Sequence, residues 1–167
     1  MDFDGVLHQD AVYTTANLEH KFIGEGSLLM HTPILEKLIE PYPELKIVLS
    51  TNWVRIAGYE NTLYKLPNKL QARVIGATLH TQTKQMYQDP YGSSISRFEQ
   101  IEWHASNNDI KQWLAIDDLF SGYEVNKWPE SHRHLLVLTE QSKGLGCLET
   151  QREIQTKLME LYRQSQL

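Results

Sequence analysis

The segment that decides the fold opens the chain and reads Met1-Asp2-Phe3-Asp4-Gly5-Val6-Leu7-His8. In an extended segment, residues two apart point the same way, so Asp2 and Asp4 share one side of the chain where a strand ends. Gly5 then lets the backbone turn away. Two carboxylates arranged in this way suit a nucleophile and a separate proton-transfer group.

Two later apolar runs also end in polar side chains. The run 46–49 is followed by Ser50-Thr51-Asn52, and the run 113–116 is followed by Asp117-Asp118. Ligands of open α/β sheets bind beyond the carboxyl ends of the strands, which is where Asp2 and both polar ends fall. The pattern therefore predicts one site built from three strand ends.

Strand-like and helix-like segments alternate along the chain. Helices are predicted at 32–39, 53–66, from Ser96 onward and around 154–161, and strands at 46–49, 73–78, 114–116 and 134–139. Thr32 is the predicted N-cap of the first helix, and Pro33 lies in its first turn. We predict an α/β fold, namely a single doubly wound, Rossmann-like domain with a central parallel sheet over residues 1–167.

The composition is that of an ordinary globular protein. The chain has 167 residues, a hydrophobic fraction of 41% and one cysteine, Cys147, which favours a reducing compartment and a structural thiol. It contains no apolar run of 18 residues and begins with carboxylates, so we predict a cytoplasmic protein with no membrane span. The net charge of -5 argues against nucleic-acid binding over the whole surface, but leaves room for a local groove.

The order of these segments resembles that of the haloacid dehalogenase (HAD) superfamily. The DxDGV pattern at 2–6 is similar to the opening motif of that family, Ser50 to its second motif and Asp117-Asp118 to its fourth. The chain most resembles small bacterial HAD proteins that are linked to RNA repair. Response-regulator receivers use similar residues, but their acidic pair precedes the phosphoacceptor Asp, so the order argues against that family.

The resemblance implies a phosphatase that works through an aspartyl-phosphate. Asp2 would attack the phosphorus, and Asp4 would protonate the leaving oxygen and later take a proton from water. Ser50 and the backbone amide of Thr51 would bind phosphate oxygens.

The resemblance also implies Mg²⁺ as the cofactor, because this ion prefers oxygen ligands. The expected protein ligands are Asp2, the backbone carbonyl of Asp4 and Asp117. Asp118 would act through a metal-bound water, or the two acidic residues would exchange roles.

The third motif of the family supplies a lysine, and here the match is imperfect. Arg97 opens a predicted helix at a suitable distance before the acidic pair, and it is the favoured cation. Lys84 and Lys111 are the alternatives. The correct residue should approach the Asp2 and Asp117 carboxylates.

Three residues beside the motifs have less specific predictions. Asn52 would orient a substrate oxygen or hold the turn of the second motif. His8 would contact substrate near the mouth of the site, or would be an ordinary structural residue. Trp53, like the other tryptophans, is predicted to pack in the core, although its place beside the second motif could also border the substrate entrance.

The connections predict an open site. Residues 9–31 provide only a short flap and residues 53–96 a small insertion, too little for a cap domain. The expected substrate is therefore an accessible phosphate such as a nucleic-acid end; the alternatives are a small phosphorylated metabolite and a noncatalytic phosphate- or metal-binding module. Only Met1 precedes Asp2, so the first strand is either unusually short or incomplete in this sequence.

Overall fold

The computed structural model of the protein describes residues 1–17, 19–78, 95–118 and 128–165. Its strands are β1 (Val12–Thr14), β2 (His20–Phe22), β3 (Ile47–Leu49), β4 (Val74–Ala77), β5 (Ala115–Asp118) and β6 (Leu136–Thr139). Its helices are α1 (Thr32–Ile39), α2 (Asn52–Ala57), α3 (Tyr59–Leu63), α4 (Asn68–Gln71), α5 (Arg97–Asn107) and α6 (Leu148–Gln164). Short 3₁₀ segments lie at Glu130–Leu135 and Gly144–Gly146.

The strands form three pairs, two of which are parallel. β3 pairs with β4, and β5 with β6, both in parallel, whereas β1 and β2 form an antiparallel hairpin. The fold is therefore α/β with short parallel strands, as predicted from the alternating segments.

The start of the chain lies between the two parallel pairs. On one side, the Met1 nitrogen donates to the carbonyl of Val48 at 2.9 Å, and the Ser50 amide donates to the carbonyl of Met1 at 2.8 Å. On the other side, the Asp2 amide donates to the carbonyl of Ile116 at 3.0 Å. These main-chain bonds bring Asp2 level with the carboxyl ends of β3 and β5.

Apolar side chains cover both faces of β5. Ile116 belongs to the larger core cluster, together with buried residues of α1 and α6 such as Leu35 and Ile154. Its neighbour Ala115 belongs to a second cluster with Phe98 of α5. Because successive residues of a strand point to opposite faces, the acidic end of β5 is held from both sides.

Two helix predictions need correction. The first helix spans Thr32–Ile39, but its N-cap is His31 rather than Thr32, whose hydroxyl donates to the carbonyl of Leu29. The single helix predicted at 53–66 is wrong. Gly58, with φ of 87°, ends α2 and precedes α3, because this backbone conformation cannot continue a helix.

Two connections contain elements that the sequence analysis did not predict, namely the β1–β2 hairpin and α4. The flap at 9–31 contains the β1–β2 hairpin, in which Val12 is opposite Phe22 and Thr14 is opposite His20. The described part of the segment 53–96 contains all but the first residue of α2, together with α3, α4 and β4, and Lys84 lies outside the described residues. Within the described ranges, no helix is long and apolar enough to cross a membrane.

Gly5 permits a close approach between the first turn and the acidic end of β5. Its φ is 65°, and a Cβ atom at this position would lie 2.6 Å from the Cβ of Asp118. The turn is also tied to β6, because the hydroxyl of Thr139 donates to the carbonyl of Gly5 at 2.6 Å. A side chain at position 5 would therefore displace Asp118 or the turn.

We expect Gly5→Ala to lower the free energy of unfolding by at least about 1–2 kcal/mol, the cost of this backbone conformation alone for an L-residue. The matched control is Gly76→Ala in β4, where the nearest atom to an added Cβ, in His104, is 3.6 Å away, an ordinary contact. Urea denaturation of both variants measures the difference. Equal stabilities would contradict the close approach at Gly5.

Candidate active site

Three buried carboxylates meet at the carboxyl ends of the strands. Asp2 lies between β3 and β5, and Asp117 and Asp118 end β5. All three residues are at most 5% exposed, and one carboxylate oxygen from each lies within 4.8 Å of the others. Like charges at this separation in a buried site repel strongly, so the cluster requires a positive partner or bound protons.

Arg97 provides positive charge to this cluster. Its Nη2 lies 3.3 Å from Asp2 Oδ2, and its Nε lies 3.0 Å from Asp117 Oδ2. The planar guanidinium thus bridges two carboxylates through two separate nitrogens, whereas a lysine ammonium would have to contact both from one atom.

The start of α5 fixes the position of Arg97. Ser96 is the N-cap of this helix and forms a capping box with Glu99: the Ser96 hydroxyl accepts from the Glu99 amide, and the Glu99 carboxylate accepts from the Ser96 amide. Arg97 is the first helical residue and is itself buried. By contrast, Lys111 is 80% exposed and pairs with Asp109. Of the cations considered from the sequence, Arg97 is the one that the described structure brings to Asp2 and Asp117.

Burial raises the pKa of Asp2 and of Asp117. The pKa of Asp2 is raised to about 8, mainly by desolvation, with Asp117 adding to the rise and the Arg97 guanidinium opposing it. Desolvation also raises the pKa of Asp117, and Arg97 again opposes the rise. One guanidinium does not balance three carboxylates, so bound protons or a further cation would reduce the repulsion among them.

Ser50 adjoins the charged cluster. Its hydroxyl accepts from Arg97 Nη1 at 3.5 Å and from the Thr78 hydroxyl at 3.3 Å. The neighbouring Thr51 is the N-cap of α2, and its hydroxyl accepts from the Trp53 amide. Asn52 begins that helix with an exposed side chain. Ser50 therefore contacts the cluster directly, whereas the Thr51 side chain caps α2.

Asp4 is the most accessible of the motif carboxylates, with 27% of its side chain exposed. Its Oδ2 accepts from Trp53 Nε1 at 2.7 Å, and its Oδ1 lies 3.1 Å from His8 Nε2. The prediction that His8 contacts substrate at the mouth needs correction. His8 is 0% exposed, packed behind Asp4 against Phe22 and Trp53.

Two polar contacts were missed by the sequence analysis. Trp53 was predicted as core packing, and it is buried, but its indole also donates to Asp4. Gln141, after β6, donates from Nε2 to Asp118 Oδ2 at 3.3 Å. A signal for the first was available, because a buried indole N–H usually finds an acceptor and Trp53 closely follows the second motif. We see no sequence signal for Gln141.

The donor set fits a small, hard divalent cation. Carboxylate oxygens are the ligands that Mg²⁺ prefers, and oxygens around one octahedral ion at about 2.1 Å lie roughly 3–4 Å apart. The separations among Asp2, Asp117 and Asp118 are compatible with this requirement. The carboxylate of Asp4 is not part of this group.

Removal of the guanidinium should destabilise the fold. We expect Arg97→Met, which retains an apolar stem, to lower the free energy of unfolding by about 3–5 kcal/mol, because two buried carboxylates lose their partner. Lys111→Met removes one member of an exposed pair and should have little effect. Urea denaturation in EDTA compares the two variants, and similar losses would contradict a structural role for the buried ion pairs.

The raised pKa of Asp2 predicts how the stability of the metal-free protein depends on pH. Between the ordinary pKa of 3.8 and the folded-state pKa of about 8, Asp2 binds more protons in the folded state than in the unfolded state. Asp2 therefore makes the free energy of unfolding fall as the pH rises through this range, whereas the Met1 amino group, whose pKa burial lowers to about 6, acts in the opposite direction between pH 6 and pH 8. In EDTA, Asp2→Asn should make the slope of the free energy of unfolding against pH more positive than in the wild type between pH 5 and pH 8, whereas the exposed control Asp109→Asn should keep the wild-type slope. An unchanged slope in Asp2→Asn would contradict the shift.

The arrangement agrees with a comparison to known protein families. A family model described as the HAD domain in Swiss Army Knife RNA repair proteins matches residues 1–147 of the 167-residue chain. No curated protein and no solved structure matches the chain. The family match indicates a phosphatase-type function and a phosphorylated substrate. Since the match covers most of the chain, this protein belongs to the family of HAD domains found in Swiss Army Knife RNA repair proteins.

Proposed function

We propose that this protein is a Mg²⁺-dependent phosphatase in which Asp2 forms a covalent aspartyl-phosphate. The observation that carries the proposal is the Arg97 guanidinium, which bridges Asp2 and Asp117 inside a cluster of buried carboxylates. A cation held beside a carboxylate can also meet an incoming phosphate, which a carboxylate cluster alone would repel.

Two carboxylates divide the chemistry between them. An oxygen of Asp2 attacks the phosphorus, the bond to the leaving oxygen breaks, and Asp4 transfers its proton to that oxygen. Water then attacks the phosphorus of the aspartyl-phosphate while Asp4 takes up a proton, and inorganic phosphate leaves with Asp2 restored. The burial of Asp2 and the partial exposure of Asp4 support this division, because the proton-transfer group must reach both the leaving group and water.

The metal ligands in this proposal are Asp2, Asp117 and the backbone carbonyl of Asp4, with Asp118 acting through a water or exchanging roles with Asp117. When bound, Mg²⁺ supplies positive charge that offsets the carboxylates and the phosphate oxygens. Two hydrogen bonds support these assignments by orienting the acidic pair. Gln141 Nε2 donates to Asp118 Oδ2, and Asp117 Oδ1 accepts from the Asp118 amide at 3.0 Å.

Three groups beside the nucleophile bind the phosphoryl oxygens in this proposal. They are the Ser50 hydroxyl, the Thr51 amide and the Arg97 guanidinium. The contact between Ser50 and Arg97 supports the assignment, since both donors lie at the same edge of the cluster as Asp2. Asn52, exposed at the start of α2, would orient a more distant part of the substrate.

We also propose that β4, β3, Met1-Asp2, β5 and β6 form one central parallel sheet of the doubly wound type. The hydrogen bonds from Met1 and Asp2 to both strand pairs support this order. Such a sheet binds ligands beyond the carboxyl ends of its strands, at the carboxylate cluster.

The proposed substrate is an accessible phosphate such as a nucleic-acid end. The association of the family with RNA repair supports this choice. So does the partial exposure of Asp4, which is open to solvent beside a buried nucleophile.

The test is hydrolysis of p-nitrophenyl phosphate with Mg²⁺ and with EDTA. We expect turnover that requires the metal and that falls by at least about 100-fold in Asp2→Asn, because the nucleophile is lost. The control Asp109→Asn changes the same residue type at an exposed position outside the cluster, and it should keep full activity. Circular dichroism verifies the fold of each variant. Wild-type-like turnover by Asp2→Asn would overturn the covalent mechanism, and a folded wild type without activity on aryl or nucleotide phosphates would favour a noncatalytic binding module.

A further inference from the structure

The carboxylate of Asp4 is held at both oxygens by buried side chains. Trp53 Nε1 donates to Oδ2 at 2.7 Å, and His8 Nε2 lies 3.1 Å from Oδ1. Trp53 is 2% exposed and His8 is fully buried, so the surrounding side chains restrict the motion of both rings. Two donors on different oxygens fix the rotation of a carboxylate as well as its position.

The Trp53 indole is in turn held by three rings. His20 stacks on it with ring centroids 3.9 Å apart and an interplanar angle of 18°. Phe3 meets it edge-on at 5.4 Å, and His8 lies at 5.7 Å. Because His20 belongs to β2, the β1–β2 hairpin braces the ring whose N–H points at Asp4.

The hydrogen-bond partners of His8 indicate which ring nitrogen carries its proton. Within the described residues, Nδ1 is buried and has no hydrogen-bond partner. A proton on Nδ1 would be a buried donor without an acceptor, which is rare in folded proteins. With the proton on Nε2, only the lone pair of Nδ1 is unpaired, and Nε2 donates to Asp4.

We propose that Trp53 and His8 are positioning residues that orient the Asp4 carboxylate for proton transfer to the leaving group. This inference rests on the proposed phosphatase function and assigns Trp53 a role beyond packing. A general acid must lie within about 2.6–3.2 Å of the oxygen that it protonates, so free rotation of the carboxylate would reduce proton transfer. Rotation of the Asp4 carboxylate would leave the binding of the substrate phosphate and the attack by Asp2 unaffected.

The leaving group separates this role from a structural one. A nitrophenolate departs readily without a proton, whereas an alkoxide needs one. Loss of Asp4 orientation should therefore slow the hydrolysis of an alkyl phosphate much more than that of p-nitrophenyl phosphate. A general loosening of the fold would slow both reactions alike. The parameter to compare is kcat/KM, which reports steps up to cleavage of the ester and excludes hydrolysis of the intermediate.

The first variant is Trp53→Phe, which keeps an aromatic ring but removes the N–H donor. With Mg²⁺ present, we expect kcat/KM to fall by about 10-fold or more for glycerol phosphate and by less than about 3-fold for p-nitrophenyl phosphate. The matched control, Trp113→Phe, makes the same change beside the second core cluster. It should change kcat/KM by the same factor for both substrates.

The second test compares His8→Gln with His8→Leu. A glutamine amide can donate from a position near that of Nε2, whereas leucine fills the space without a donor. We expect His8→Gln to retain more of the activity on glycerol phosphate than His8→Leu, with the two variants similar on p-nitrophenyl phosphate. This pair keeps the inference testable if Trp53→Phe fails to fold.

The outcomes distinguish this inference from the function on which it rests. Selective loss on the alkyl ester in Trp53→Phe or His8→Leu supports the positioning role. Equal losses on both esters, or none, overturn it while leaving the phosphatase intact. A folded wild type that hydrolyses neither ester overturns the proposed function and this inference together.

Discussion

The buried guanidinium of Arg97 is the interaction on which the site depends. Without it, Asp2 and Asp117 would be like charges facing each other in a nearly dry environment. Isolated buried charges are strongly unfavourable, and carboxyl groups in such a place take up protons. The raised pKa values of both residues indicate that Arg97 compensates the cluster only in part. The remaining negative charge is what makes a divalent cation a favourable ligand.

Main-chain bonds bring these charges together, and small residues allow the close contacts. Met1 and Asp2 hydrogen-bond to the β3 and β5 segments, which places Asp2 beside the carboxyl ends of both strands. Gly5 then lets the first turn pass against Asp118, while Gly144, with φ of 51°, brings a loop onto the carbonyl of Val6. The acidic residues are therefore held by backbone geometry, which is stiffer than side-chain packing alone. A preorganised cluster of this kind loses little free energy in rearrangement when it binds a ligand.

Much of this arrangement could be predicted from the order of polar residues after apolar runs, and α5 begins directly after Ser96, as predicted. Other features depend on contacts far apart in sequence. His8 is buried because Phe22 of the hairpin and Trp53 of α2 close over it, and neither neighbour follows from the pattern around position 8. Gly58 divided a predicted helix because its backbone has a conformation that periodicity does not reveal. Trp53 was assigned to the core from its hydrophobicity, which says nothing of where its N–H points.

The most direct test of Asp2 as the nucleophile is chemical trapping of its phosphorylated form. Asp4→Asn lacks the group that activates water, so it should accumulate the intermediate when given p-nitrophenyl phosphate and Mg²⁺. Borohydride reduces an acyl phosphate of aspartate to homoserine, which mass spectrometry of the digested protein can locate. We expect homoserine at position 2, and none when Asp2→Asn is added. Homoserine at another aspartate, or phosphate release that continues in Asp2→Asn, would contradict it.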